Sequence, residues 1–421
     1  MKGRAIALLA ILVGPWPSAF CQTERVLHSF EAGNDGYYPE ITPLVLDRSG
    51  NLYGTTKYGG GGPCLVGQYA GCGMIYQLAR PARAGGAWTE NVIWRFESGT
   101  DGGYPGGLVA ADGALFGVAG TGGTGACSGG CGYLFTLTSP TAAGGAWTKT
   151  DVFDFPTADR GCSITASDGT GNLYGVGGGT NLPNGTICEL IRPAASGESW
   201  KFTTLYAFKG VGRGRSIGDG SGPLGVTFDR HGNLWGATAS GGHCQLFEGG
   251  SCFGTLFLLT PPSSLDANWT ESVLHRFSNA DQSPISGVVI DSSDALYGVT
   301  YVETYKFFKG SLAVIGTFLD CTGCGYAPSG GVVLDHAGNV YGVTAAGGEF
   351  GYGTVYELAL PDYSQRVLHS FAAGTDGWNP EGPLTIGPLG ALYGTTQDGG
   401  NQGCQLGFGS AGCGIVFEVI P

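Results

Sequence analysis

Thirteen cysteines carry the plainest chemistry in this 421-residue chain. Four pairs lie close in sequence: Cys64 with Cys72, Cys127 with Cys131, Cys244 with Cys252, and Cys404 with Cys413. In an exported protein such spacing reads as disulfides, each stapling a small loop. A structural zinc site would need four thiolates or imidazoles converging on one point, and these pairs are spread along the whole chain. Cys321-Thr-Gly-Cys324 has the two-residue spacing of redox and zinc motifs. It has no second pair to work with and stands where other units carry an Asp-Gly turn, so a tight structural bridge is expected. Cys162 and Cys188 fall on strands that a third strand should separate, which leaves their pairing open.

The titratable groups are sparse. Of the six histidines, His28, His275 and His369 recur two residues before Phe30, Phe277 and Phe371. Acid–base catalysis needs groups within hydrogen-bond reach of one another, and repeat symmetry keeps these three apart. His231 and His336 fall in hairpin turns, and His243 stands beside Cys244. Asp-Gly turns recur at Asp35-Gly36, Asp101-Gly102 and Asp376-Gly377, followed by Pro39, Pro105 and Pro380, with weaker copies at Asp159, Asp219 and Asp281. Calcium would need six to eight clustered oxygens; the sequence contains no calcium-binding series, and turn-building is the expected role. The glycine runs, such as Gly59 to Gly62, lack the following helix or lysine that would cradle phosphate. Beside the Asp-Gly turns stand Tyr37, Tyr38, Tyr104 and Trp378. Aromatic faces next to Asp acceptors suit polyols, which makes these four, with Asp35, Asp101 and Asp376, the candidate ligand face. No catalytic residue, metal ligand or cofactor is expected.

These residues sit on a repeating frame. Leu52-Tyr53-Gly54 returns as Leu115-Phe116-Gly117, Leu173-Tyr174-Gly175, Leu234-Trp235-Gly236, Leu296-Tyr297-Gly298, Val340-Tyr341-Gly342 and Leu392-Tyr393-Gly394. Around each anchor four short runs rich in branched and aromatic residues, here named a to d, are bounded by turn residues and read as strands. In the fourth unit they are Pro223 to Asp229, Asn233 to Ala239, Gly254 to Thr260 and Trp269 to Phe277. An Asp-x-x-Gly-Asn turn joins a to b in several units, as in Asp47 to Asn51, Asp229 to Asn233 and Asp335 to Asn339. Four antiparallel strands, repeated without helical periodicity, make an all-β, seven-bladed β-propeller. The extra length between b and c is expected to be loop rather than strand. Glu24 to Phe30 is a d strand that comes first, and Gly414 to Ile420 is a c strand with no d after it. The ring is therefore expected to close by pairing the N-terminal strand with the last blade, which removes both open sheet edges. Alternating strand direction brings the b-to-c and d-to-a loops out on one face, so the stapled loops and Asp-Gly turns share it. Trp88, Trp147, Trp200 and Trp269 open strand d at one register and are expected to pack between blades.

Residues 1–21 read as a signal peptide: Lys2 and Arg4 precede an apolar run too short to span a bilayer. A lipid-modified Cys21 is disfavoured because Phe20 is bulky at that processing site. Residues 22–421 form a single propeller domain. Without Lys2 and Arg4, the 20 basic residues fall to 18 against 33 acidic ones, a balance that repels phosphate backbones and anionic lipid. Neither nucleic acid nor a membrane span is expected, and an extracellular glycan or protein is the expected partner.

Phe-x-x-Gly-x-Asp-Gly-x-x-Pro, Asp-x-x-Gly-Asn-Leu-Tyr-Gly-Thr-Thr and Gly-Thr-Val-Tyr-Glu-Leu, shown best by Phe371 to Thr396 and Gly347 to Leu358, together resemble the repeat of the bacterial choice-of-anchor tandem-repeat GloVer-containing proteins. The resemblance covers nearly the whole chain after the leader, with the third and fifth units degenerate. It implies export and surface or extracellular residence, and no defined activity. The sequence ends at Pro421 straight after its last strand, so a secreted or periplasmic product is expected rather than an anchored one. A binding scaffold is the expected function. The alternative is a propeller enzyme, a lactonase, lyase or glycan hydrolase, with its site at the axial channel mouth; against it, segments of strand a such as Gly106 to Ala111 and Gly330 to Leu334 carry almost no ionisable residue.

Overall fold

The computed structural model describes residues 23–421 apart from 84, 142–144, 158–160, 180, 196, 211–217, 243–251, 265–266, 319–322, 324, 402 and 407–409. The expected signal peptide, His243, Cys244, Cys321, Cys324 and Asp159 thus lie outside the described residues. Seven antiparallel sheets stand in a ring. In order a, b, c, d, blade 1 comprises Tyr37–Pro39 with Val45–Leu46, Leu52–Tyr58, Met74–Ala79 and Thr89–Arg95. Blade 2 comprises Gly103–Ala111, Ala114–Thr121, Tyr133–Thr138 and Thr148–Asp154; blade 3, Ser163–Ser167, Leu173–Gly179, Leu182–Ile191 and Lys201–Ala207. Blade 4 comprises Ser221–Phe228, Leu234–Ser240, Thr255–Thr260 and Thr270–Arg276; blade 5, Val289–Ile290, Leu296–Val299, Glu303–Phe308 and Ser311–Thr317. Blade 6 comprises Tyr326–Leu334, Val340–Ala346, Thr354–Ala359 and Ser364–Ser370. Blade 7 has Trp378–Pro380 with Thr385–Ile386, Leu392–Asp398 and Ile415–Ile420, and takes its d strand, Thr23–Ser29, from the other end of the chain. That pairing sets Val26 opposite Phe417 and Thr23 opposite Ile420. The a strands adjoin one another around the axis, and between blades 7 and 1 the Thr385 hydroxyl donates to the Leu44 carbonyl at 2.7 Å. The b-to-c segments depart from the expectation of plain loop: Leu65–Val66 with Tyr69–Ala70 and Gln405–Leu406 with Ser410–Ala411 form miniature hairpins.

Two aromatic layers hold the blades together. The phenylalanine that ends each d strand packs on a ring from strand c of the next blade: Phe30 on Tyr76, Phe96 on Phe135, Phe208 on Phe257, Phe277 on Tyr305, Phe318 on Tyr356 and Phe371 on Phe417, with centroids 4.8 to 5.8 Å apart. The c-strand ring lies opposite the glycine of the repeat motif in strand b, as Tyr356 lies opposite Gly342. A Cβ at Gly54, Gly117, Gly236, Gly298, Gly342 or Gly394 would overlap that ring, so the motif needs glycine for space rather than for backbone freedom. The second layer joins the motif aromatic to the residue that opens strand d of the next blade: Tyr53 with Trp147, Phe116 with Trp200, and Tyr393 with Trp88.

The seam between blades 2 and 3 breaks the pattern. Cys188 replaces the ring opposite Gly175 and is bonded to Cys162. Their Cα atoms are 6.1 Å apart, well under the roughly 10 Å between strands two places apart. Gly175 and Gly177 let strand b lie close to this segment: a Cβ on Gly175 would meet the backbone of Ser163 and Ile164, and one on Gly177 the backbone of Gly161. This settles the pairing that spacing left open. Cys64–Cys72, Cys127–Cys131 and Cys404–Cys413 are bonded as expected, and Cys252 is disulfide-bonded.

The Asp-x-x-Gly-Asn-Leu-aromatic string forms one polar clasp. Asp47 accepts from the Ser49 and Asn51 amides, the Asn51 side chain and the Tyr53 hydroxyl at 2.8 to 2.9 Å. The Asn51 side-chain carbonyl then accepts from the Arg80 amide beyond strand c. Equivalent clasps form at Asp168, Asp229, Asp291 and Asp335. Burial alone would raise these five carboxyls, but the bonds they accept outweigh it and hold each below the ordinary value. Because the folded pKa lies below the unfolded one, the stabilisation is complete above the unfolded range and is lost as pH falls through the folded values. Tm is therefore expected to drop as pH falls below the ordinary aspartate range, and Asp335→Asn to flatten that acid limb. Cys162→Ala with Cys188→Ala should cost about 3–4 kcal/mol for a 26-residue separation, read by urea unfolding. Gly342→Ala should cost about 1–3 kcal/mol by overpacking, relieved in part by Tyr356→Leu; independent, additive losses would refute the ring-space account.

Candidate functional site

The b-to-c loops and d-to-a turns interlock on one face, as strand alternation requires. Gly61 donates to the Gly33 carbonyl, Gly123 to Thr100 and Gly400 to Gly374, at 2.7 to 3.2 Å. The disulfides Cys64–Cys72, Cys127–Cys131 and Cys404–Cys413 close loops on this face.

Three of the four candidate aromatics converge there. Tyr37 and Tyr38 pack on Tyr58, each at 5.8 Å, and Tyr104 meets the same ring at 6.0 Å. Tyr69, from the miniature hairpin, stacks on Tyr58 at 4.6 Å and touches Tyr38. The Tyr37 hydroxyl donates to the Ala70 carbonyl and accepts from its amide, which pins the loop to the cluster. Tyr37 and Tyr58 are buried, whereas Tyr38, Tyr69 and Tyr104 are partly open to solvent. Trp378 stands elsewhere, with its ring on Tyr352 of blade 6 at 5.4 Å. Tyr38, Tyr104 and Asn379 hold the same place before a proline with φ of 61°, 55° and 57°, a left-handed conformation costly for non-glycine residues. Each strained residue donates its amide to the start of strand c in the preceding blade, Tyr38 to Cys413, Tyr104 to Cys72 and Asn379 to the nearby Tyr352. The strain is thus tied to blade register.

An acidic edge borders the tyrosines. Burial pushes the Tyr38 phenol up to about 12, and the charges of Glu381 and Asp398 add to it. Asp398 is itself raised to about 6, by burial and by Glu381 against a bond to Asn379. Next to the cluster, Tyr37, Gly33, Gly59, Gly61, Gln68 and Gly403 line a cleft of about 320 Å³. Tyr58, Tyr69, Glu381 and Asp398 escaped the sequence reading. Tyr58 and Asp398 end strand b at one register, after Thr-Thr-Lys and Thr-Thr-Gln, a signal that alignment of the repeats could have used.

The turn aspartates face inward rather than toward a ligand. Asp35, Asp101 and Asp376 each accept from the amide four residues earlier, at 2.7 to 2.9 Å. Each also faces a ring of the preceding d strand: His28 at 3.4 Å, the Trp94 indole N–H at 3.3 Å and His369 at 3.2 Å. A third side chain, from strand d of the next blade, completes each cluster. It is Glu90 beside His28 and Asp35, Glu24 beside His369 and Asp376, and Lys149 beside Trp94 and Asp101. The Lys149 side chain is 4 % exposed, with Nζ 3.2 Å from Asp101 and 5.0 Å from the Trp94 ring centroid. Between blades 3 and 4 the counterparts are Tyr206, Asp219 and Glu271; the Tyr206 hydroxyl donates to Asp219 at 2.7 Å. Burial, then the neighbouring aspartate, raises Glu90 to about 8 and both Glu24 and Glu271 to about 7. The repeated histidines are remote from one another, as symmetry demands, but each has the carboxylate partner that the sequence reading did not supply. These clusters lie on outermost strands, away from the axial channel. Asp101→Ala is expected to cost about 1–3 kcal/mol by removing the acceptor of the Glu97 amide and the Trp94 indole and the counter-charge of the buried Lys149 ammonium, measured by chemical denaturation; a neutral result would refute the turn-anchoring role.

No family model matches this chain, and no curated protein does. Among solved structures it is similar to the extracellular domain of a one component system from B. thetaiotaomicron, with a TM-score of 0.50 and 8% identity over 93% of this chain. The chain spans 40% of the length of that structure. It is similar to the PQQ-bound aldose sugar dehydrogenase of Streptomyces coelicolor at a TM-score of 0.43 and 13% identity, covering 95% of this chain and 98% of that one. The first of these likenesses shows the propeller fold and nothing of its chemistry. Among the described residues, no helix is long and apolar enough to cross a membrane. The bonded cysteines favour an oxidising, extracytoplasmic setting.

Proposed function

We propose that this protein is an exported, non-enzymatic binding module of the GloVer-type repeat class, and that it takes a glycan on the stapled face between blades 7, 1 and 2. The observation that carries this reading is the convergence of Tyr38, Tyr69 and Tyr104 around Tyr58, beside the carboxylates of Glu381 and Asp398. Partly exposed aromatic faces supply stacking area for sugar C–H surfaces, and the half-buried Glu381 carboxylate can accept from vicinal hydroxyls, while the buried Asp398 contributes only its charge. The disulfide loop carrying Tyr69 and the strained backbone of Tyr38 and Tyr104 hold these groups in place before a ligand arrives, which lowers the ordering cost of binding. The catalytic alternative at the channel mouth lacks a comparable constellation among the described residues. The His-carboxylate clusters are on outer strands.

Residues 22–421 should bind members of a glycan array, with affinity measured by calorimetry on the strongest. Tyr38→Ala with Tyr104→Ala should weaken binding at least about 10-fold, the loss of roughly 1.4 kcal/mol, without lowering Tm by more than a few degrees. Trp378→Ala should leave it unchanged. Equal affinity in the double variant would refute the tyrosine platform. Binding that these substitutions abolish but that oligosaccharide does not compete would identify a protein ligand on the same face.

A further inference from the structure

The clusters at the two seams flanking blade 7 have the composition of a metal site. One gathers His28 Nε2, a carboxylate oxygen of Asp35 and one of Glu90; the other gathers His369 Nε2 with oxygens of Asp376 and Glu24, all within 4.8 Å of one another in each set. His28 Nε2 lies 3.4 Å from Asp35 and 3.9 Å from Glu90, and His369 Nε2 lies 3.2 Å from Asp376. Ligands about 2.0–2.2 Å from a tetrahedral ion stand roughly 3.3–3.6 Å apart. His28 Nε2, Glu90 Oε1 and Glu24 Oε1 are shielded from solvent, as are His275 Nε2 and Glu271 Oε1 at other seams; in the two sets flanking blade 7 the aspartate, imidazole and glutamate face one another, Asp35 bonding both His28 and Glu90 and Asp376 bonding Glu24.

The repeat itself indicates what belongs there. At the next seam, the position of Glu90 is held by Lys149, whose buried ammonium rests on Asp101. There the chain fills the space with its own cation. At the two flanking seams it presents a second carboxylate and an imidazole instead. We propose that these two clusters bind divalent transition-metal ions, Zn²⁺ being the fitting case, since one imidazole with two carboxylates suits that ion better than the all-oxygen shell of calcium. Strand Thr23–Ser29 supplies Glu24 to one site and His28 to the other. The two ions would therefore fasten the closing strand to blade 6 on one side and to blade 1 on the other. The His275–Asp281 pair, 3.4 Å apart, has Leu312 of strand d at the corresponding place and serves as an internal negative.

The test is calorimetric titration of the chelator-stripped, full-length protein with Zn²⁺ alone, paired with thermal melts. Wild type should bind two ions and gain about 2–5 °C in Tm at saturation. Glu90→Gln and Glu24→Gln should each bind one, and the double variant none. Glu90→Lys, which copies Lys149, should bind one ion while melting, metal-free, no lower than wild type; it also serves if Glu90→Gln does not fold. Wild type that binds no Zn²⁺, a double variant that still binds two, or a Tm rise with Ca²⁺ but not Zn²⁺ would each overturn the proposal.

Discussion

Steric fit between one glycine and one aromatic ring organises the ring of blades. In six blades the motif glycine in strand b leaves room for a ring on strand c, and that ring reaches out to the phenylalanine closing strand d of the preceding blade. A side chain on b would push the c-strand ring away from its neighbour. Intra-blade pairing and inter-blade packing are therefore coupled through a single missing Cβ. Because sheets packed face to face bury their aromatic area only when all seams are made, closure by Thr23–Ser29 completes the seams on both sides of blade 7. Blade 3 keeps the glycine but gives up the ring, and there a covalent bridge between Cys162 and Cys188 links strands a and c across it.

Polar chemistry is distributed around this apolar frame by strand position. On one face, hairpin aspartates clasp the a-to-b turn and reach the motif tyrosine, so that the same aromatic contributes to a polar clasp and an apolar seam. On the other face, turn aspartates anchor the d-to-a crossing against a ring of strand d. The aspartate is kept at these seams while its companions vary, the third member being glutamate at Glu90, Glu24 and Glu271, lysine at Lys149 and leucine at Leu312. Burying a carboxylate beside another is costly without a counter-charge, and this position therefore decides the electrostatics of each seam.

The stapled face differs from the rest of the ring in having aromatic side chains held by strained backbone and closed loops. Left-handed Tyr38 and Tyr104 are retained because their amides bond the neighbouring blade, which makes the aromatic surface a by-product of blade register. A rigid platform of this kind suits selective capture of a ligand with little internal ordering on binding.

Much of the architecture was legible from residue order. The repeated Leu-Tyr-Gly anchors, the Asp-x-x-Gly-Asn turns, the displaced d strand and the local cysteine pairs specify strands, blade count, closure and three of the described bridges, because each depends on contacts near in sequence or repeated along it. Trp88, Trp147 and Trp200 were placed between blades for the same reason. What residue order left undecided involves partners from different blades or across an intervening strand: Cys162 with Cys188, Tyr58 with Tyr69 and Tyr104, and Glu24 with His369. Twist and curvature set those distances, and twist is a property of the whole sheet. The sequence alone therefore determined the ring and its pieces, whereas only the packed ring decided which side chains from neighbouring blades would meet.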